Sequence, residues 1–294
     1  MHDDSRDLLS LFERLYKPLR LAGCSYTGLR HHRETISQFA RFLGKTPTLD
    51  HFDDVTVAGF LDWVSDGRSA STANSYIDRL LAQWRFYNRR GLISRWPEVR
   101  QLNVPERIPL AWLREEMARL WVACEAQTGT ISGVEAAGWW LGIHCCIADS
   151  AERVGAILRL EWRDIDLDNR WITIRAESRK GKTRDRMHQL HVTTVAVLAR
   201  IKVPTRKLVF PWEGCSTGIW HQYESVLKAA GLPIDRRSKF HRMRRTVASY
   251  FAAAGGDPTK LLDHSDPRVT KAYLDLRIVQ TPQASDLVWR PPMK

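Results

Sequence analysis

Long apolar runs, paired cysteines and acidic residues are the scarce things in this 294-residue chain. The most apolar stretch, Ala136 to Ala148, is interrupted by His144. It falls short of the roughly 20 residues that span a bilayer, so no membrane segment is expected. The opening Met-His-Asp-Asp-Ser-Arg-Asp is too polar and acidic to read as a secretory signal. Five cysteines, Cys24, Cys124, Cys145, Cys146 and Cys215, make an odd count without a C-x-x-C pair. Neither a disulfide framework nor a zinc site is expected, and a reducing cytoplasm is. Acidic residues number 33 against 45 Lys and Arg, a net charge of +12. A small neutral substrate needs no such excess. A polyanion does, because each phosphate that is neutralised releases a counterion.

What is present is a globular balance, 44% hydrophobic and 27% charged, so packed cores rather than disorder are expected. In the first hundred residues apolar side chains recur at helical spacing: Leu8, Leu9, Phe12, Leu15 and Leu19, then Ile36, Phe39, Ala40 and Leu43. A third segment carries Val57, Phe60, Leu61 and Val64. A fourth starts at Ser71-Thr72, runs through Trp84 and Tyr87, and stops at Arg90-Gly91, with glycine where a helix end wants a left-handed residue. Ser25 or Thr27 is placed to cap the second helix. Residues 1–95 therefore read as a helical bundle. The proline-rich stretch 96–109 reads as a linker, and 110–294 as a second domain with a tail from 279.

In that second domain helices are expected near 112–127, 132–148, 151–160, 193–202, 216–230, 240–254 and 267–277. Trp171 to Arg175 alternates as a strand does. Met187 to Val192 reads as its hairpin partner, with the basic run Arg179 to Arg186 as the turn. The fold class is mainly α with a small antiparallel sheet: a helical bundle plus a mixed α+β domain.

Two local motifs fail on inspection. Gly181-Lys182-Thr183 looks like the end of a phosphate-binding loop, but Ala176 replaces the required glycine and a hairpin arm follows instead of a helix. The acids from Asp164 to Asp168 suggest a calcium loop, but Asn169 and Arg175 stand where glycine and glutamate belong. Neither a nucleotide nor a metal cofactor is expected.

A constellation holds up better. Arg153 opens an apolar helix bearing Val154, Ile157 and Leu158. His241 and Arg244 are three apart, hence on one helix face. His264 follows twenty residues after Arg244, and Tyr273 nine residues later, on a segment that Asp266-Pro267 starts well.

In this order the residues resemble a tyrosine recombinase of the phage integrase family, over nearly the whole chain. Arg153 matches the first catalytic arginine, His241 and Arg244 the His-x-x-Arg box, His264 the second histidine and Tyr273 the nucleophile. Lys180 in Arg179-Lys-Gly-Lys-Thr-Arg matches the catalytic lysine, with Lys182 as the alternative. The bundle resembles the family's core-binding domain. Three features depart from the pattern. Ala156 stands where an acid usually follows the first arginine, with Glu152 or Asp149 as the replacements at hand. Asp263 replaces the glycine before the second histidine. The segment between Arg244 and His264 is short.

The resemblance implies a site-specific recombinase that cleaves DNA through a covalent 3′-phosphotyrosine and rejoins it without metal or ATP. In it Arg153, Arg244 and His264 would stabilise the phosphate, Lys180 would protonate the leaving 5′-oxygen, and His241 would help deprotonate Tyr273. The implied partners are duplex DNA and further copies of the chain, as a tetramer on two sites, with the tail either docking on a neighbour or folding back on its own domain. Arg30, His31, Arg33, Arg79, Arg85, Arg89, Lys182 and Arg184 are candidate DNA contacts. A type IB topoisomerase and a non-catalytic DNA-binding relative are the rival readings.

Overall fold

The computed structural model describes residues 6–179, 181, 184–215 and 217–279. The chain divides into two compact units, Met1–Glu106 and Arg107–Lys294.

The first unit is helical. Its opening run is continuous but irregular: α1 (Leu8–Leu11), a π turn (Phe12–Tyr16) and α2 (Lys17–Arg20). Then come α3 (Tyr26–Leu43), α4 (Asp54–Ser65) and α5 (Ala70–Arg89). Each start has a side-chain cap, as orphan helix donors require. Ser25 accepts from the Gly28 amide at the head of α3, Asp53 from Thr56 at α4, and Ser69, two residues ahead of the expected start, from Thr72 at α5. The core is built from aromatic contacts. Phe52 stacks on Trp84 with centroids 5.4 Å apart, and Phe39 meets Phe60 edge-on at 5.1 Å. The Trp84 indole N–H donates to the Arg95 carbonyl at 2.8 Å, so this fully buried ring brings no orphan donor inside. Truncating such a ring to alanine costs about 3–5 kcal/mol. Beyond α5, Ile93, Val99 and Leu102 pack onto the same core, and Asn74 holds Leu102 by two backbone hydrogen bonds.

The second unit is organised around α7 (Ala136–Ser150), which is apolar on all sides and buried accordingly. It packs against α6 (Arg114–Glu125), α9 (Val192–Ile201) and α11 (Phe240–Ala253). Gly138 and Gly142 permit this closeness. A Cβ there would lie 2.3 Å from Ile201 and 2.7 Å from Phe210. The expected helix from 132 begins late, because Gly129, Ser132 and Gly133 take positive φ and form a hairpin of β1 (Thr130–Ile131) and β2 (Val134–Glu135). The expected helix over 151–160 shrinks to α8 (Val154–Ile157). Leu160 and Trp162 turn away to pair with Val209 and Lys207 through backbone bonds of 2.9 and 3.0 Å.

A three-stranded antiparallel sheet follows: β3 (Ile165–Asp166), β4 (Trp171–Ile174) and β5 (Arg186–Gln189), in that order. β3 was not expected. β5 ends before Val192 because His191 caps α9 through its ring nitrogen. Ile172 and Ile174 pair with His188 and Arg186, so these two polar residues share the buried face of the sheet. Three helices complete the unit: α10 (Gly218–Ala229), α12 (Pro258–Leu262) and α13 (Pro267–Lys271). The sequence placed Tyr273 on a helix running to 277, but α13 stops at Lys271, and Tyr273 lies in the turn beyond it. Ser249 explains the stop. Its hydroxyl donates to the Tyr273 carbonyl at 3.3 Å and accepts from the Asp275 amide at 2.9 Å, drawing the chain onto α11.

Candidate active site

The end of α7, the head of α11 and the turns around α12 and α13 converge. Ala151 ends α7 in a left-handed conformation (φ 52°), which sends Glu152 inward and makes Arg153 the N-cap of α8. Among the described residues the Arg153 guanidinium has no hydrogen-bond or ion-pair partner, although the residue is half-buried.

Arg244 is 1% exposed. It donates to the carbonyls of Ala151 and, at 2.8 Å, Leu262, and lies 3.7 Å from a Glu152 oxygen. Burial, then the neighbouring Arg153 charge, pushes its pKa down to about 10. It remains a cation at neutral pH, held at a cost.

Tyr273 sits between the two histidines. Its ring centroid is 5.1 Å from that of His241 and 4.9 Å from that of His264, both inclined steeply, and Arg244 is 5.9 Å from it. His264 is oriented by Thr270, whose hydroxyl is 3.0 Å from Nδ1. His241 is pushed below its ordinary pKa by burial, then by the Arg245, Arg244 and Arg153 charges, so its neutral, proton-accepting form is favoured.

A second layer of charge lies beneath. Glu152, 2% exposed, accepts from Arg179 Nε at 2.7 Å and lies 3.8 Å from Arg186 as well as close to Arg244. Ala156 itself is buried and apolar in its short helix. Asp149 serves another purpose and accepts the His191 amide at 2.9 Å. Asp263, at φ 54°, keeps the left-handed turn that a glycine would adopt. Its carboxylate adds ion pairs with Arg179 at 2.7 Å and Arg184 at 3.0 Å. Sequence reasoning missed Arg179, Thr270 and Ser249. Nothing local marks them, because their partners lie far along the chain.

Lys180 and Lys182 lie outside the described residues. Of the candidate DNA contacts, Arg184 flanks the same turn. In the first unit Arg30 and His31 are exposed on α3, while Arg33 is ion-paired with Glu13 at 2.7 Å. Arg79 leans on the Tyr76 ring at 5.8 Å. Arg85 and Arg89 line an open groove of about 680 Å³ with Arg20 and Arg90, a basic cluster to which the sequence had not assigned Arg20.

A tyrosine flanked by two histidines and a buried arginine suits attack on a phosphodiester, with a nucleophile, a base and donors for the two non-bridging oxygens. The comparisons agree with that class. The family model of the phage integrases matches residues 115–278. Among solved structures, a lambda integrase tetramer bound to a Holliday junction superposes with TM-score 0.69 at 18% identity, covering 96% of this chain and 80% of that one. The XerH site-specific recombinase in a post-cleavage complex with palindromic difH gives 0.67 at 18%, covering 88% and 78%. The integrase of the transposon Tn1549 with right-end DNA gives 0.67 at 13%, covering 92% and 95%. At these identities the likeness is one of fold. No curated protein matches the chain.

The family match spans more than half of the sequence, and the chain belongs to the phage integrase family. It is a tyrosine recombinase, an enzyme that breaks and rejoins DNA strands. Among the described residues no helix is long and apolar enough to cross a membrane.

Proposed function

We propose that Tyr273 is the nucleophile and that it forms a covalent 3′-phosphotyrosine with duplex DNA. The observation that carries this is the Tyr273 ring packed between His241 and His264, beside Arg244. Tyr273 Oη attacks phosphorus, and the P–O5′ bond breaks. The tyrosine proton passes toward His241, whose neutral form is favoured. Arg153 and Arg244 hold the non-bridging oxygens with planar donor forks, joined by His264. Lys180 protonates the leaving 5′-oxygen, with Lys182 as the alternative acid. The adduct keeps the bond energy, so a 5′-hydroxyl from a partner strand rejoins it without a nucleotide.

The exposed arginines of the first unit supply non-specific grip on the backbone. Neighbouring structures include a lambda integrase dimer bound to a core site and a tetramer bound to a Holliday junction, which supports a tetramer acting on two sites. The described cysteines are all free, in keeping with action in a reducing cytoplasm.

The test is covalent trapping in EDTA. Protein is mixed with fragmented genomic and mobile-element DNA, denatured, and the protein-linked DNA is sequenced. Wild type yields adducts at a specific site and Tyr273→Phe yields none while still binding DNA. Equal adducts from both would exclude Tyr273 as nucleophile.

A further inference from the structure

We propose that Arg179 is a positioning residue for the proton-donation step, an inference that rests on the strand-cleavage reading above. Arg179 immediately precedes Lys180 and is 5% exposed. Its one guanidinium reaches three places. Nε donates to Glu152, the residue before Arg153, at 2.7 Å. Nη2 donates to Asp263, the residue before His264, also at 2.7 Å. Nη1 donates to the Arg184 carbonyl, on the far arm of its own turn, at 3.1 Å. Arg184 in turn gives its side chain to the second oxygen of Asp263 at 3.0 Å.

Both arms of the hairpin turn are thereby tied to the backbone positions that present the first arginine and the second histidine. Arg179 and Arg184, the described residues on either side of the lysines, are each held by the same Asp263 carboxylate. A planar fork can hold two carboxylates and a carbonyl at once, whereas a lysine cannot reproduce that geometry. Two of the three departures from the family pattern bear on this device. Ala156 gives up a carboxylate, while Asp263 supplies one where glycine would satisfy the backbone alone and leave Arg179 and Arg184 without that partner.

The consequence is specific to one proton. With ordinary DNA the 5′-oxygen must be protonated as P–O5′ breaks. With a 5′-bridging phosphorothiolate the P–S bond breaks and the thiolate leaves unprotonated. A residue that acts by placing the acid matters for the first substrate and little for the second.

The experiment measures adduct formation by the full chain on duplexes that carry the site recovered by trapping, with oxygen or sulfur at the 5′ bridge. Arg179→Ala slows cleavage of the oxygen duplex by about 10²-fold, the scale of general acid catalysis. The sulfur duplex restores most of that loss. Arg179→Lys falls between wild type and Arg179→Ala on the oxygen duplex. Asp263→Asn, which tolerates the left-handed turn and keeps the fold, shows the same selectivity to a smaller degree. Arg153→Ala is slow on both duplexes. Equal losses on the two duplexes for Arg179→Ala and Asp263→Asn, or no loss at all, would overturn the proposal and leave Arg179 a structural residue. A wild-type protein that forms no adduct on either duplex would instead overturn the cleavage reading itself.

Discussion

In the first unit no described arginine is buried. Arg85, Arg89 and Arg90 are exposed, and among the described residues the buried polar side chains there are all uncharged: Thr35, Gln38, Asn74 and Gln83. In the second unit Arg179, Arg242 and Arg244 are 5%, 5% and 1% exposed, and Glu152 is 2% exposed. An exposed arginine costs little to fold and acts on a polyanion by number, without fixed geometry. A buried one is expensive, and replacing a buried ion pair by apolar residues is often neutral or stabilising. Arg244 lies 5.9 Å from the Tyr273 ring and 3.7 Å from Glu152, so part of this buried charge stands at the tyrosine. The proposed function places the chemistry in the second unit and the grip in the first.

The contrast breaks most sharply at Arg244. Its removal leaves Glu152 and two carbonyls short of a donor, so Arg244→Ala loses cleavage by orders of magnitude and also about 3–5 kcal/mol of stability. A near-normal melting temperature would mean that the buried network contributes nothing to the fold. Arg153→Ala sharpens the contrast. The missing guanidinium has no partner among the described residues, so the activation barrier to cleavage rises by about 3–4 kcal/mol while the melting temperature holds.

A third prediction concerns acid. Burial pushes His144 and His188 in the second unit, and His32 in the first, from 6.5 down to about 4. The unfolded chain therefore binds protons first as pH falls. The stability these histidines contribute is whole above about 6.5 and is lost as pH drops toward about 4. Thermal melts across that window show the loss, and His144→Phe flattens part of it. A melting temperature independent of pH there would mean that His144 is protonated in place. The smallest effect belongs to the first unit. Arg85→Ala with Arg89→Ala weakens DNA binding at all sequences and lowers the slope of log affinity against log salt by about 0.9 for each phosphate no longer neutralised. The cleavage rate of bound DNA stays unchanged. A changed rate would give these arginines a part in catalysis.

Much of this molecule is legible in its sequence because it is local. Helical spacing marks the bundle, Ser25 caps its helix as expected, and the order from Arg153 to Tyr273 names the cluster. What stays hidden is long-range. Glu152 meets Arg179 and Arg244 only once α7, the hairpin and α11 have packed together. Tyr273 leaves its helix because Ser249, 24 residues earlier, takes its carbonyl. The two-residue strand β3 carries too little pattern to be seen at all.

The most direct test identifies the residue that holds the DNA. Adducts trapped in EDTA are digested with nuclease and protease and sequenced by mass spectrometry. The expected species is a nucleotide joined through its 3′-phosphate to Tyr273. A nucleotide on any other residue, or joined through a 5′-phosphate, would contradict the assignment of Tyr273 as nucleophile.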